Sequence, residues 1–254
     1  MGFSSDHSAE EVQRVNQQLE QRHYEFRSNC NDGDGDASAC HSWGEWLAVV
    51  DKDYAGAADM YKLNCTKNSY AASCFNLGRL KLAGKGVEMN DVDATNLFEK
   101  SCDGGHSQGC HHLGVMYMNG VGRGKVRPVP PAKNCSYGSS HLKCCLSLVQ
   151  NVLKGLEAFK EACERDDANS CNRVASMYLS ATEKSPFKRD PLLAKSFLKR
   201  ACDANFAPAC HNLAVMYKKG DVGIEKSDEK FEEYRNKTTE LIAQAGGMSG
   251  VKAS

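Results

Sequence analysis

The spacing of apolar and polar positions repeats five times along the chain, each time after a cysteine. In each copy a large apolar residue stands three positions after the cysteine, a Gly or Ala follows it, and a second large apolar residue stands at position six. The five strings are CHSWGEWL from Cys40, CFNLGRLK from Cys74, CHHLGVMY from Cys110, CNRVASMY from Cys171 and CHNLAVMY from Cys210. Positions 0, 3, 4 and 7 share one face of a helix, so each string predicts a helix with one apolar face.

A second helical pattern precedes these strings and ends at another cysteine. A small residue stands eight positions before that cysteine and a bulky residue four positions before it. The pairs are Ala57 and Tyr61 before Cys65, Ala94 and Phe98 before Cys102, Gly155 and Phe159 before Cys163, and Ala194 and Leu198 before Cys202. Only Phe26 fits before Cys30. Each copy is therefore predicted to be a helical hairpin, whose small residues let the helices approach closely.

Successive second cysteines lie 34, 36 and 39 residues apart where no extra segment intervenes. This period is typical of solenoids built from helical hairpins, so the sequence predicts an all-α solenoid of about five hairpins. Residues 29–122 are assigned to hairpins 1 to 3 and residues 151–226 to hairpins 4 and 5. Residues 1–28 and 227–245 are predicted to form capping helices, and residues 246–254 a disordered tail.

The stretch 123–150 does not fit the period. It contains no Asp or Glu, half of the six prolines, and the three cysteines that have no partner in the repeat, Cys135, Cys144 and Cys145. Two interpretations stay open, a loop insertion or a retained intron in the gene. In either case the segment is predicted to be disordered, and no function is assigned to it.

Composition and charge narrow the classes of function. The formal net charge is zero, with 41% hydrophobic and 25% charged residues, which removes the electrostatic basis for binding nucleic acid or an anionic membrane. No apolar run approaches the roughly 18 to 20 residues of a membrane span. The first residues contain no apolar stretch typical of a secretory signal. Yet thirteen cysteines indicate an oxidising compartment, and the mitochondrial intermembrane space is consistent with both observations.

The cysteines of each hairpin are spaced for disulfide bonding. Eight residues separate Cys102 from Cys110, Cys163 from Cys171 and Cys202 from Cys210, nine separate Cys65 from Cys74, and ten separate Cys30 from Cys40. A tight turn between two helices can bring such Cα atoms within the ~4.4–6.8 Å that a disulfide requires. Each closed loop is expected to stabilise the fold by on the order of 2–3 kcal/mol.

The two cysteine-bearing patterns resemble the cysteine-rich Sel-like branch of tetratricopeptide-type repeats, with A-x3-[FY]-x3-C and C-x2-L-G-x2-Y helices. The resemblance implies a right-handed α/α solenoid with one disulfide in each hairpin. The plan of the whole chain resembles a family of respiratory-chain assembly factors of the mitochondrial intermembrane space. It implies a non-enzymatic role in assembling complex IV, with complex I as a further candidate. It also implies protein partners and no cofactor, small-molecule substrate or nucleic acid.

Other chemistries are weaker alternatives. His41, His111 and His211 each follow a second cysteine, and His112 adjoins one of them. Cys-His pairs can bind copper or haem iron, but oxidised cysteines supply no thiolate, and the favoured interpretation is that these histidines lie on the helix surface. Three S-x-x-K matches, at Ser140, Ser185 and Ser196, lack the companion motifs of β-lactamases. The alternative function is an enzyme, either a thiol-disulfide oxidoreductase or a β-lactamase-like hydrolase, but no catalytic residue is assigned.

Overall fold

The computed structural model describes residues 9–120 and 139–249, and these residues form eleven α-helices. In chain order the helices are α1 (Ala9–Cys30), α2 (Ala37–Val49), α3 (Tyr54–Lys67), α4 (Ala71–Ala83), α5 (Asp91–Asp103), α6 (Ser107–Met118), α7 (Ser139–Glu164), α8 (Ala168–Ser180), α9 (Pro191–Asp203), α10 (Ala207–Lys219) and α11 (Asp228–Ser249). A short 3-10 turn, Asn31–Gly33, follows α1.

Helices that are neighbours in sequence pack against each other. The chain divides into two compact units, Met1–Gly104 and Gly105–Ser254. In the first unit each of the helices α1 to α5 contacts the next, and in the second unit the same holds for α6 to α11. The predicted fold class, an α/α solenoid of helical hairpins stapled by disulfides, is confirmed. The two helices of hairpin 3, α5 and α6, belong to different units.

Acidic and amide side chains begin several of the helices. Asp36 accepts a hydrogen bond from the backbone N–H of Ala39 at 2.7 Å, and Asn90 accepts two from the first turn of α5. Asp53, Asp167 and Asp190 cap α3, α8 and α9 in the same way. A helix leaves its first backbone donors without partners, so these caps fix where each helix starts.

Glycines in the second helix of a hairpin contact an aromatic ring of the next hairpin. A Cβ atom built on Gly44 would lie 2.6 Å from the ring of Tyr61, and one on Gly78 would lie 2.8 Å from the ring of Phe98. In the second unit a Cβ on Gly114 would lie 2.8 Å from Phe159. The small position and the bulky position of the sequence pattern therefore meet across successive hairpins, where only a hydrogen fits beneath the ring.

Each unit has its own apolar core. In the first unit one buried cluster contains Ala57, Ala58, Tyr61, Leu77 and Leu80. In the second unit a larger cluster runs from α7 to α10 and contains, among others, Phe159, Val174, Leu198 and Leu213, all at most 2% exposed. Tyr61, Leu77, Phe159, Val174, Leu198 and Leu213 occupy positions that the repeat pattern singles out.

The structure differs from the disorder predicted for the extra segment. Residues 123–138 lie outside the described residues, but residues 139–150 form the first half of α7. Leu142, Leu146, Val149 and Leu153 recur at helical spacing there, and neither Gly nor Pro interrupts the chain between Ser139 and Lys154. The three prolines on which the prediction of disorder depended all precede the helix. The prediction is therefore wrong for residues 139–150.

The ends of the chain also depart from the sequence expectation. Residues 246–249, predicted to belong to a disordered tail, continue α11. Residues 1–28 were expected to form a separate capping helix, but α1 is the first helix of hairpin 1, and its Val12, Val15 and Leu19 are 49%, 52% and 43% exposed. Helix α1 has 22 residues and its partner α2 only 13, so α2 is too short to cover the first turns of α1. Residues 1–8 lie outside the described range.

Replacement of Gly78 by Leu tests the contact between hairpins. Phe98 is fully buried, so the new side chain has to displace the ring, and we expect Gly78→Leu to lower the free energy of unfolding by about 1–3 kcal/mol. Urea denaturation followed by circular dichroism measures this change. Ala83→Leu, at the exposed end of the same helix, is the matched control and should change stability by less than about 0.5 kcal/mol. Equal effects of the two substitutions would contradict the proposed packing.

Candidate functional site

Buried disulfides join the two helices of each hairpin that lies within one unit. The Cα atoms are 4.5 Å apart in Cys30–Cys40, 4.8 Å in Cys65–Cys74, and 4.7 Å in both Cys163–Cys171 and Cys202–Cys210. Cys102 and Cys110 are disulfide-bonded as well. All ten cysteines are at most 3% exposed. Sulfur held in this way cannot act as a thiolate ligand, so a metal site at these positions would need other donors.

His41 connects hairpin 1 to hairpin 2. Its Nδ1 atom lies 3.0 Å from Ser73 Oγ on α4, and its ring packs near the rings of Tyr61 and Tyr70. Burial lowers the pKa of His41, and Glu45, 3.5 Å away, acts in the opposite direction. The neutral imidazole is therefore the form that the folded chain favours.

His111 makes the corresponding contact in the second unit. Its Nδ1 atom lies 2.7 Å from Ser170 Oγ on α8 and 3.3 Å from Asp167 Oδ2. Desolvation acts to raise the pKa of Asp167, but hydrogen bonds from His111 and Ser170 outweigh it and hold the pKa below its ordinary value. This network ties α6 to the N-terminus of α8.

The structure does not bring the candidate histidines together into a ligand set. His112 Nδ1 contacts the carbonyl oxygen of Gln108 one turn earlier on α6, and His211 is exposed on α10. Among the described residues, none of the four histidines belongs to a group of three or more potential metal ligands. His41 and His111 are instead joined to the next hairpin by hydrogen bonds.

The serines that contact His41 and His111 were not predicted from the sequence. Ser73 and Ser170 are fully buried and directly precede the second cysteine of their hairpins. Ser73 also accepts a hydrogen bond from Asn64 Nδ2 at 2.7 Å. The signal was present, because a Ser-Cys pair follows in the next hairpin after Cys40-His41 and again after Cys110-His111. Seeing it requires comparison of residues about 30 to 60 positions apart.

A groove in the first unit lies between the first helices of hairpins 2 and 3, and we call it the α3–α5 groove. It has a volume of about 380 Å³, and its lining residues are Ala58, Asp59, Lys62, Thr66, Leu77, Lys81, Val87, Asp93, Asn96, Leu97 and Lys100. Lys81 Nζ lies 3.6 Å from Asp93 Oδ2. The groove thus combines an apolar floor with a charged rim.

A second groove, in the second unit, lies between the second helices of hairpins 4 and 5. This α8–α10 groove has a volume of about 410 Å³ and an apolar wall that includes Leu179, Val215 and Met216. At one end Arg189 donates to both carboxylate oxygens of Asp221, and these hydrogen bonds lower the pKa of Asp221. The ion pair joins the loop before α9 to the loop after α10.

The serines of the S-x-x-K matches show no arrangement for hydrolysis. Ser196 Oγ donates to the carbonyl oxygen of Leu193, and Ser185 Oγ accepts from the backbone N–H of Thr182. Neither hydroxyl has a lysine among its hydrogen-bond partners within the described part of the chain. The side chain of Ser140 lies outside the described residues.

The half-buried His41 predicts a pH dependence. Because the pKa of His41 is lower in the folded chain than its ordinary value of 6.5, protonation favours the unfolded chain, and stability is lost as the pH falls below about 6.5. Urea unfolding at pH 7.5 and pH 5.5 should show a smaller pH difference for His41→Gln than for the unaltered chain. His211→Gln, at an exposed position, should leave that difference unchanged. An unaltered difference in His41→Gln would contradict this role.

Loss of one staple should destabilise the fold measurably. We expect the double change Cys202→Ala with Cys210→Ala to lower the free energy of unfolding by about 2–3 kcal/mol, because the unfolded chain regains the entropy of an open loop. Chemical denaturation without reductant measures the effect. Lys199→Ala, at an exposed position on the same helix as Cys202, serves as the control and should leave the unfolding midpoint unchanged. A double variant as stable as the unaltered chain would refute a structural role for this disulfide.

Comparison with known families identifies the repeat. The family described as Sel1 repeat matches residues 71–106, 107–131, 168–206 and 207–230. Two solved structures share the fold at a TM-score of 0.63 each. One is c5321, a protective antigen of uropathogenic Escherichia coli, with 21% identity over 90% of this chain and 44% of that longer chain. The other is a Sel1 repeat protein of Oxalobacter formigenes, with 18% identity over 81% and 74%. The resemblance to Sel-like repeats is confirmed.

Relatives that match most of the chain have a more specific name. Cytochrome c oxidase assembly factor 7 of Xenopus tropicalis is 30% identical over 206 residues, covering 80% of this chain and 78% of that protein. The factor 7 homolog of Drosophila melanogaster is 27% identical over 89% of this chain, and the human factor 7 is 25% identical over 91%. Because the similarity to the Xenopus protein spans most of both chains, this chain belongs to the cytochrome c oxidase assembly factor 7 family.

Proposed function

We propose that this chain is a non-enzymatic scaffold that assists the assembly of cytochrome c oxidase, respiratory complex IV. The observation that carries the proposal is the similarity to proteins named for that role, which covers 80% of this chain and 78% of the Xenopus relative. A similarity over 206 residues is longer than either unit, so it extends into both units and concerns more than one repeat. A second role in the assembly of complex I is a narrower extension of the same proposal.

The architecture supports binding of protein segments. Successive hairpins expose long helix faces between which grooves form, and helical-repeat proteins use such faces to hold partners. The α3–α5 groove and the α8–α10 groove each combine apolar walls with charged or amide side chains. None of the helices formed by the described residues combines the length and hydropathy needed to cross a membrane.

The mitochondrial intermembrane space is the location that we propose for the protein. Ten buried cysteines in disulfides favour a compartment that oxidises thiols. The names of the relatives imply a mitochondrial protein, and the intermembrane space is the mitochondrial compartment that supports disulfide formation.

Disruption of the gene in the source organism tests the proposed role. Assembled complex IV on native gels should fall several-fold, and expression of the unaltered chain should restore it. Complex I is measured on the same gels, where a parallel loss would support the wider role. Normal complex IV in the disrupted strain would refute the proposal.

The location is tested by counting free thiols in fractionated mitochondria. Alkylation with and without reductant should show ten oxidised cysteines per chain in the intermembrane-space fraction. Ten free thiols in a cytosolic fraction would overturn both the proposed location and the disulfides.

One observation favours the alternative function, a thiol-disulfide oxidoreductase. Arg165 Nη1 lies 2.9 Å from Cys110 Sγ, and a neighbouring guanidinium stabilises a thiolate on reduction. Burial opposes this function, because Cys110 is fully buried and a substrate thiol has no direct approach to its sulfur. With reduced glutathione supplied as the electron donor, an oxidoreductase would reduce a small disulfide substrate with turnover that disappears in Cys110→Ser. We expect no turnover from either protein.

A further inference from the structure

We propose that the α3–α5 groove binds an extended peptide segment in which acidic and apolar side chains alternate. This inference rests on the proposed scaffold role and specifies the chemistry of the partner. The groove volume, about 380 Å³, lies in the ~300–1,000 Å³ range of ligand pockets.

The floor of the groove is apolar and belongs to the core of the first unit. Ala58 and Leu77 are 1% and 5% exposed, and Val87 and Leu97 pack against the same buried cluster while remaining partly exposed. Side chains that are fixed by a core beneath them offer a surface that is already formed. An apolar side chain placed on Val87 and Leu97 would remove their remaining exposed area from water, which favours binding.

The rim leaves two lysines without a partner charge. Lys81 is paired with Asp93 at 3.6 Å, so these two side chains neutralise each other. Lys62 on α3 and Lys100 on α5 are exposed and form no ion pair with any other described residue. One lies on each long wall of the groove, so carboxylates of a bound segment can pair with either wall. Asp59 is the remaining charge, and it leaves the rim with a net charge of +1.

The amide of Asn96 adds a group suited to a peptide backbone. Asn96 lies one turn before Lys100 on the same wall, and its side chain makes no hydrogen bond with any other described residue. A side-chain amide offers both a donor and an acceptor, the two groups that a peptide unit presents. An extended peptide directs alternate side chains to opposite sides. It can therefore place apolar side chains on the floor and carboxylates toward the rim.

Other classes of ligand fit less well. A nucleic acid or a phosphate-rich ligand carries no apolar side chains to place on the floor beside Val87 and Leu97. A purely apolar ligand would leave Lys62, Lys100 and Asn96 unused. The acidic and apolar peptide uses each of these groups.

Fluorescence anisotropy with three labelled nine-residue peptides tests this specificity. The peptides alternate Leu with Glu, Leu with Gln, or Leu with Lys. The purified full-length chain should bind the Leu–Glu peptide most tightly, and the affinity should fall as salt is raised, because exposed charges are screened. Equal binding of the Leu–Glu and Leu–Gln peptides would overturn the proposal.

Charge reversal locates the site. Lys62→Glu and Lys100→Glu should each weaken binding of the Leu–Glu peptide about three- to fivefold, and the double variant should prefer the Leu–Lys peptide. Lys85→Glu is the matched control. Lys85 is not a lining residue of the groove and lies over the ring of Tyr54, so this variant should bind the peptide as the unaltered chain does. Circular dichroism checks that each variant is folded. Unchanged binding by the folded double variant would place the peptide elsewhere and refute the proposal.

Expression of the double variant in the gene-disrupted strain separates this inference from the proposed function. If the unaltered chain restores complex IV and the double variant does not, the groove serves the assembly role. If the unaltered chain fails to restore complex IV while the peptide preference persists, the assembly role is wrong and the groove stands. If the double variant restores complex IV fully, the groove is not the partner site.

Discussion

The contact between a glycine and an aromatic ring is the constraint on which the rest of the structure depends. Where Gly44, Gly78 and Gly114 lie against the rings of Tyr61, Phe98 and Phe159, one hairpin fits onto the next with no room for a Cβ atom. The spacing between hairpins then follows from the thickness of a ring. That spacing also decides which polar side chains of successive hairpins come within hydrogen-bond distance, as His41 and Ser73 do. The hydrogen bonds between hairpins therefore depend on the packing of the glycine against the ring.

The disulfides hold together the two helices of one hairpin, which the packing between hairpins does not do. A stack of hairpins buries side chains only against its nearest neighbours, so no large central core holds the two helices of one hairpin together. Each staple closes a loop of eight to ten residues at the point where the helices turn. It restrains the unfolded chain locally and leaves the long helix faces free of cross-links. The turn of each hairpin thus carries the stabilising disulfide, and the helix faces remain exposed for binding.

Most of the fold could be predicted from the sequence, because its determinants are local. The small residue, the bulky residue and the cysteine of each helix stand within eight positions of one another, and they specify which face is buried. The contacts of His41 with Ser73 and of His111 with Ser170 could not be predicted in this way, because they depend on the register of one hairpin against the next. The α3–α5 groove was missed for the same reason, since Lys62 and Lys100 acquire a common role only when two hairpins pack. The start of α7 was not predicted, because the three prolines indicate a loop and the apolar residues at helical spacing come only after them.

The exposed first turns of α1 give the two ends of the molecule different local stabilities. At the C-terminus, α11 packs against α10, where Tyr234 is stacked on Tyr217, and Thr238 of α11 is buried. At the N-terminus, residues 11–22 of α1 are all exposed. A helix segment this exposed buries little apolar surface, and a short helix without such burial is marginal in water. These turns therefore open at little cost in free energy, and their amide protons exchange with solvent ahead of those in the remainder of the first unit.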